Sequence, residues 1–449
     1  MEARELALDL FLETEKKGAY GDTLIGSVLD KYDYEDPKEK AFFKRLTEGT
    51  LEKRITLDWV LDCYSKTPVK KMKPLIRNLL RLSAYQILYM EGVPDSAACN
   101  EAVKLAKKRG FSSLGGFVNG VLRTISRNKE SLKWPDPAKD PVRSMSVTAG
   151  LPEWMIRLWT QQYGAEETAD ILGGLQEKRP VIIRFSGRLT QEQRREAAAA
   201  IEGAGVEIVP HPLYSGAYCL GSCDGVASLP GFAQGLFYVQ DVSSMLAVEA
   251  AGIVPGMQVT DLCAAPGGKA LMAAEKLKGK GLVRAGDVSQ AKALLIEENA
   301  ARMGCDNIRV SVWDARRTQE EQKGQADVVL ADVPCSGLGV MARKKDIRYR
   351  VQPEDLEELT ALQKEILTAS WQYVKPGGVL LYSTCTINRE ENEEMVRFLT
   401  EKFPFETENL DPYLPECLHS RQTAAGCCQL IPGRWNTDGF FFARLRRKK

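Results

Sequence analysis

Apolar positions along the chain change period twice. Over residues 1–130 they follow the helical repeat. Arg4–Phe11 clusters Leu6, Leu8, Leu10 and Phe11, and similar patterns recur at Thr56–Cys63 and Ile76–Met90. Arg77–Tyr89 fits a 3.6-residue period until Pro94 breaks it, and Asn100–Lys108 and Phe117–Ser126 follow as two more helices. Low β-branched content and no strand-like alternation predict an all-α bundle. Asn128–Met145 carries Pro135, Pro137 and Pro141 among charges and predicts a linker, set at residues 131–149. Helix Pro152–Gly164, strand Val181–Phe185, helix Gln191–Gly203 and strand Val206–Val209 predict a small α/β module over 150–235. From 236 to 449, apolar runs at Gln258–Leu262, Leu282–Asp287, Ile308–Trp313, Asp327–Asp332 and Val379–Ser383 alternate with helical runs. The helices are Ala270–Leu277, Ser289–Met303, Glu354–Val374 and Glu390–Phe403. That alternation predicts a mostly parallel, twisted sheet covered on both faces. Gly439–Leu445 adds a last strand, expected to be antiparallel, and the acidic run Glu390–Glu394 suits a helix N-terminus.

Ligands of such sheets sit at the carboxyl ends of the strands. Between the first strand and its helix lies Thr260–Lys269, TDLCAAPGGK, a glycine turn that opens a helix N-terminus to a polar ligand. It is not G-x-G-x-x-G, so a dinucleotide is disfavoured. Asp287, about 20 residues on, stands where a nucleotide-binding fold holds ribose hydroxyls. Asp314, Asp332 and Cys385 end the next three strands. Each alone could be a turn cap or a small core residue; four polar groups on one rim point to a ligand. Cys335 follows a proline in a glycine-containing turn, and Cys385 precedes a helix whose N–H dipoles favour thiolate. A zinc pair would need a CxxC partner or nearby histidines, so no metal is expected.

Composition adds bounds. Eleven cysteines in 449 residues form no dense framework, which predicts a reducing, cytoplasmic setting. No apolar run nears the ~20 residues that span a bilayer, so no membrane partner is expected. Residues 1–149 hold 26 Lys+Arg against 21 Asp+Glu, or +5; the remainder, at 61−26=35 against 60−21=39, is −4. A mildly basic front permits RNA contact. The two histidines, His211 and His419, form no metal-spaced pair and no G-x-S-x-G accompanies them, which argues against serine–histidine hydrolysis and leaves both as surface or structural groups.

Two resemblances sharpen the picture. LRLSAYQILYMEGVPDSAACNEAVKLAK with FVNGVLR at Phe117–Arg123 is similar to the NusB-like RNA-binding domain, covering residues 1–130. This implies RNA contacts by its Lys and Arg, against the plainer reading of a solvated face. DLCAAPGGK, DVPCSGLGV and YSTCTINREENE, in that order, resemble the RNA cytosine-5 methyltransferases, and with the NusB-like front, the RsmB/Sun family acting on small-subunit (16S) rRNA. The resemblance implies a Rossmann-like class I methyltransferase domain at 236–449. S-adenosylmethionine would lie on Cys263, Ala264, Ala265, Pro266, Gly267, Gly268 and Lys269, with Asp287 on the ribose, Asp314 near the adenine and Asp332 between cofactor and base. It makes Cys385 the thiolate that attacks carbon 6 and Cys335 the group that assists release. Arg343, Lys344 and Arg348, beside Tyr349, suit RNA phosphates and a stacked base, or form a solvated basic loop. The partner would be 16S rRNA or a partly assembled small subunit, and the protein a monomer. A tRNA cytosine-5 methyltransferase and a non-catalytic RNA-binding assembly factor are the alternatives; the latter is expected to lack one of the two cysteines.

Overall fold

The computed structural model describes residues 3–17, 37–223 and 225–449, and the helical expectation for 18–36 lies outside them. The chain divides into two compact units. One is Met1–Gln176 with Arg343–Gln352; the other is Glu177–Ala342 with Pro353–Lys449.

The first unit is helical. Ala3–Lys17, Arg54–Tyr64, Pro74–Tyr89, Asp95–Lys108 and Gly115–Arg127 are the expected helices, joined by Pro37–Glu52. Leu8, Phe43, Leu57, Leu80, Ala106 and Leu122 are fully buried in its core. The expected linker is not one throughout. Pro141–Ala149 is a helix, with the Asp140 carboxylate accepting from Arg143 N, Pro141 at the first position and left-handed Gly150 at the end. A proline there starts a helix, because its missing N–H would be unpaired anyway. The unit also takes in Glu153–Tyr163 and Ala165–Gln176, so its boundary falls at Gln176 rather than at 130 or 150.

The basic segment 343–352 packs into this unit. Tyr349 joins its core, with the Arg54 guanidinium 3.7 Å above the ring. Lys345 Nζ lies 2.5 Å from Glu52 Oε2, and Arg348, only 2% exposed, donates to the Glu52 carbonyl oxygen at 2.9 Å. A guanidinium so enclosed cannot lie on an RNA phosphate, which corrects the role expected of Arg348. Arg343 is half-buried and Lys344 exposed.

The second unit holds two sheets. The smaller is antiparallel, in the order β2-β3-β1-β4, from β1 (Val181–Phe185), β2 (Ile208–Pro210), β3 (Ala217–Leu220) and β4 (Phe237–Val239). The buried Arg184 on β1 pairs with Glu275 and donates to Gln240 Oε1 at 2.9 Å, and Ser186 donates to Glu275 at 2.8 Å. This sheet therefore packs with the domain that follows it in the chain.

The larger sheet comprises β5 (Gln258–Asp261), β6 (Leu282–Asp287), β7 (Ile308–Val312), β8 (Ala326–Asp332), β9 (Val374–Thr384), β10 (Phe405–Thr407), β11 (Cys427–Leu430) and β12 (Phe440–Arg447). Its order is β10-β12-β9-β8-β5-β6-β7, with β11 also against β12. β5 to β9 are parallel, and β12 runs antiparallel to β9 with Phe441 opposite Thr384. The chain leaves β5 toward β6 and β7, then returns to β8 on its other side. That reversal opens a crevice beyond the carboxyl ends of β5 and β8.

Candidate active site

The turn after β5 builds one wall of the crevice. The Ala265–Pro266 peptide is cis, and Gly267 takes φ +112°, a conformation that side-chain-bearing residues resist, just before helix Gly268–Lys276. Gly268 is closely faced by the smaller sheet: a Cβ there would lie 3.3 Å from the Tyr238 ring and 3.6 Å from Gln240. Between these walls is a cleft of about 170 Å³, lined by Asp261, Cys263–Pro266, Gly268, Lys269 and Asp332 on one side and Tyr238–Asp241 with Ser244 on the other.

Three acids serve the cleft in different ways. Asp332 is a hub: Oδ2 accepts from Lys269 Nζ at 2.6 Å and Oδ1 from Ser383 Oγ at 2.7 Å. Asp287, 5% exposed, braces the turn by accepting from Ala265 N at 3.2 Å and pairs with Lys292 at 3.1 Å. Asp261, inside the glycine motif, also ends a strand. It is fully buried, and neither carboxyl oxygen has a hydrogen-bond partner of normal geometry among the described residues. Burial, with the charges of Asp332 and Asp287 adding to it against the opposing Lys269, pushes its pKa up to about 7.

That shift has a consequence for stability. Below the ordinary value of 3.8, folded and unfolded chains both hold the proton; between there and about 7 only the folded chain does; above that both have lost it. Stability should therefore fall as pH rises across this window, by up to about 1.4 kcal/mol per pH unit. Asp261→Asn, which does not titrate, should flatten that part of the curve of denaturation midpoint against pH. An unchanged slope would count against the raised pKa.

Asp314 does not line the cleft. Arg316 grips its carboxylate at 2.7–3.0 Å and holds its pKa down to about 2. Burial pushes the Cys263 thiol well up, so that thiol is a neutral part of the wall.

The two remaining cysteines meet. Cys335, in the loop after β8, and Cys385, just past β9, place their Sγ atoms 3.3 Å apart, and both are half-buried. Adjacent parallel strands bring them together, with Asp332 opposite Ser383 in register. The residues that follow them are also paired: Ser336 Oγ and Thr386 Oγ1 are 2.7 Å apart. Beneath lies Glu391, fully buried, accepting from Ser336 N at 2.8 Å, Ser336 Oγ at 2.5 Å, Gln363 Nε2 at 3.0 Å and Asn388 Nδ2 at 3.1 Å. Asn392 ties the other loop, bonding Thr384 Oγ1 at 2.6 Å and the Thr386 carbonyl at 3.1 Å. Glu391 is thus a framework group and not part of the helix start expected at Glu390–Glu394; helix Glu393–Lys402 begins after it. The hydrogen bond with Cys385 comes first among the effects that raise the Cys335 pKa well above a free thiol, followed by burial and the charges of Cys385 and Glu391.

His211 is buried and accepts from Leu213 N at 3.2 Å, which makes it structural. Among the described residues no group of three or more His, Cys, Asp or Glu is placed to hold a metal, and no helix is long and apolar enough to cross a membrane.

A sheet that reverses at β5/β8, a glycine turn entering a helix at that reversal and acids along the rim define an S-adenosylmethionine-dependent methyltransferase domain. Residues 1–127 match the NusB family and residues 253–446 the 16S rRNA methyltransferase RsmB/F family. The probable ribosomal RNA small subunit methyltransferase B of Bacillus subtilis (strain 168) is 36% identical, over 99% of this chain and 98% of its own. The ribosomal RNA small subunit methyltransferase B of Vibrio cholerae serotype O1 is 31% identical, over 92% of this chain and 90% of its own. The crystal structure of PH0851 shares the fold, with a TM-score of 0.80 and 24% identity over 100% of this chain and 99% of that one. The chain belongs to the ribosomal RNA small subunit methyltransferase B family.

Proposed function

We propose that this protein methylates carbon 5 of one cytosine in 16S rRNA, naked or in a partly assembled small subunit, through a transient bond between Cys385 and the base. The observation that carries the reading is the 3.3 Å approach of the Cys335 and Cys385 sulfurs at the strand ends next to Asp332.

The cleft fits the cofactor. Its lining includes Cys263–Pro266 and Gly268 of the turn, and Asp261 lies behind that wall with a buried carboxyl whose oxygens have no hydrogen-bond partner of normal geometry among the described residues. Asp261, Lys269 and Asp332 with the Cys263–Gly268 turn would hold it, Asp287 bracing the turn. When bound, S-adenosylmethionine supplies an electrophilic methyl group on a sulfonium centre.

Carbon 5 of cytosine is too poor a nucleophile to use that group unaided. Addition of the Cys385 thiolate to carbon 6 breaks the ring conjugation and moves electron density to carbon 5. Asp332 holds its carboxylate toward Lys269 and Ser383 with a lone pair left on each oxygen, which suits an N–H of the 4-amino group of the base. Cys335 stays a neutral thiol that donates toward Cys385 while that sulfur is anionic. Once Cys385 is bonded to carbon 6 its charge is gone, and the first of the effects raising the Cys335 pKa goes with it. Cys335 can then give up its own proton to solvent, and the resulting thiolate takes the carbon 5 proton; the electron pair of that C–H bond re-forms the 5,6 double bond and expels the Cys385 sulfur as thiolate. The base must leave its stack to reach these groups, so a looped or opened RNA is the substrate. Exposed Lys344, with half-buried Arg343, remains suited to RNA phosphates.

Bisulfite sequencing of 16S rRNA from a strain lacking the gene tests this. One cytosine that resists conversion in the parent strain should become convertible, and the purified protein with S-adenosylmethionine should restore its resistance. An identical pattern in both strains would overturn the cytosine-5 reading.

A further inference from the structure

One large aromatic side chain near the catalytic rim takes no part in the core. Trp435 is 41% exposed. It has φ +67° and is followed by Asn436 at φ +55°, two consecutive residues with side chains in the left-handed region. The loop is nevertheless closed on itself. Gly433 N donates to the Thr437 carbonyl at 3.3 Å, and Thr437, fully buried, donates through Oγ1 to the Arg434 carbonyl at 3.1 Å.

Its far end is fixed against the catalytic loops. Gly439 N donates to the Gly339 carbonyl at 2.9 Å, and Gly339 N donates to the Cys385 carbonyl at 3.1 Å. The packing is tight enough that a Cβ on Gly439 would fall 2.7 Å from the Gly339 backbone and 2.9 Å from Ile387. Phe440 then starts β12, whose next residue faces Thr384, the neighbour of Cys385. The Trp435 loop is thus moored to the Cys385 end of the sheet through a short run of backbone bonds. Strained backbone persists only where its surroundings impose it, and such residues gather at ligand clamps.

We infer that Trp435 is a stacking platform for an unpaired base of the RNA substrate, beside the nucleotide presented to Cys385. This rests on the functional reading above. An exposed indole on a hydrogen-bonded loop offers a π-face to any base, and each base stacked on an aromatic typically adds five- to a hundredfold or more in affinity. Loss of the indole should act on RNA binding and leave the cofactor cleft alone.

Three variants test this: Trp435→Ala, Trp435→Phe and Trp435→Gly in the full-length protein, with unmethylated 16S rRNA and with the corresponding partly assembled subunit. Trp435→Ala should weaken affinity for the naked rRNA by roughly 5- to 100-fold and raise KM more than it lowers kcat. Trp435→Phe should stay within about threefold of wild type, and S-adenosylmethionine affinity should be unchanged in all three. Trp435→Gly separates a binding role from a structural one. Glycine accepts the left-handed backbone, so its thermal midpoint should equal or exceed that of wild type, while its RNA affinity falls as far as that of the alanine variant. Wild-type RNA affinity in Trp435→Ala overturns the stacking role alone. So does a defect confined to the assembled subunit, which would point to a protein contact. Wild-type protein that binds no rRNA overturns the functional reading and the stacking role together.

Discussion

Cys385→Ala is expected to lower methylation by roughly 10⁴-fold or more, a loss typical of removing a nucleophile that acts within a coupled catalytic set. S-adenosylmethionine affinity should stay within about twofold of wild type, because Cys385 is not among the cleft-lining residues. Cys335→Ala should behave differently. It leaves the attacking sulfur in place and removes the group that takes the carbon 5 proton, so protein–RNA adduct should accumulate and survive denaturing electrophoresis. The 3.3 Å separation makes a purely steric account of both losses unattractive: the sulfurs are close enough to exchange a proton, and each substitution removes only one. If Cys385→Ala traps the adduct and Cys335→Ala prevents it, the two roles are reversed. If neither traps one, the covalent route fails even though the protein remains a methyltransferase.

The parallel core was legible because central parallel strands are buried on both faces and read as short apolar runs. Asp287 and Asp332 stood out for the same reason, each a polar residue ending such a run. Asp261 obeys that rule and was missed only because it sits inside a motif read for its glycines. β3, β4, β10 and β11 are three or four residues long, too short for any period to register. Pro141 misled because a helix-starting proline and a linker proline are the same residue until the Asp140 cap and Gly150 are considered together. The hardest cases are those whose meaning depends on distant partners. Arg348 reads as a phosphate ligand until Glu52, 296 positions earlier, encloses it. Glu391 reads as a helix-start acid until Ser336, 55 positions earlier, is found bonded to it. Local pattern fixes an element's type; it carries no information about which charge a long-range contact will bury.

Glu391 gives the second large expected effect. Its carboxylate receives four hydrogen bonds in a fully buried site, two of them from Ser336, the residue after Cys335. Burial raises its pKa and the hydrogen bonds from Ser336, Asn388 and Gln363 oppose the rise, so this acid is costly to bury and depends on its donors. Glu391→Ala strands those donors and opens a cavity beneath the cysteine loop; a loss of about 3–5 kcal/mol of stability is expected. Glu391→Gln keeps the volume but offers a single acceptor oxygen, and its NH₂ faces other donors, so about 1–3 kcal/mol should go. The glutamine variant is the more informative kinetically. It loosens Ser336 and hence Cys335, while Thr384 and Thr386 keep their bonds to Asn392 beside Cys385. Adduct formation should therefore be nearly preserved and release slowed, giving a weaker copy of the Cys335→Ala trap in a protein that still folds. Hydrogen exchange at the Ser336 amide, which Glu391 protects, should rise in step with the trapped fraction. A glutamine variant with faster Ser336 exchange and normal release would mean that Cys335 does not need this support, and that Glu391 serves the fold alone.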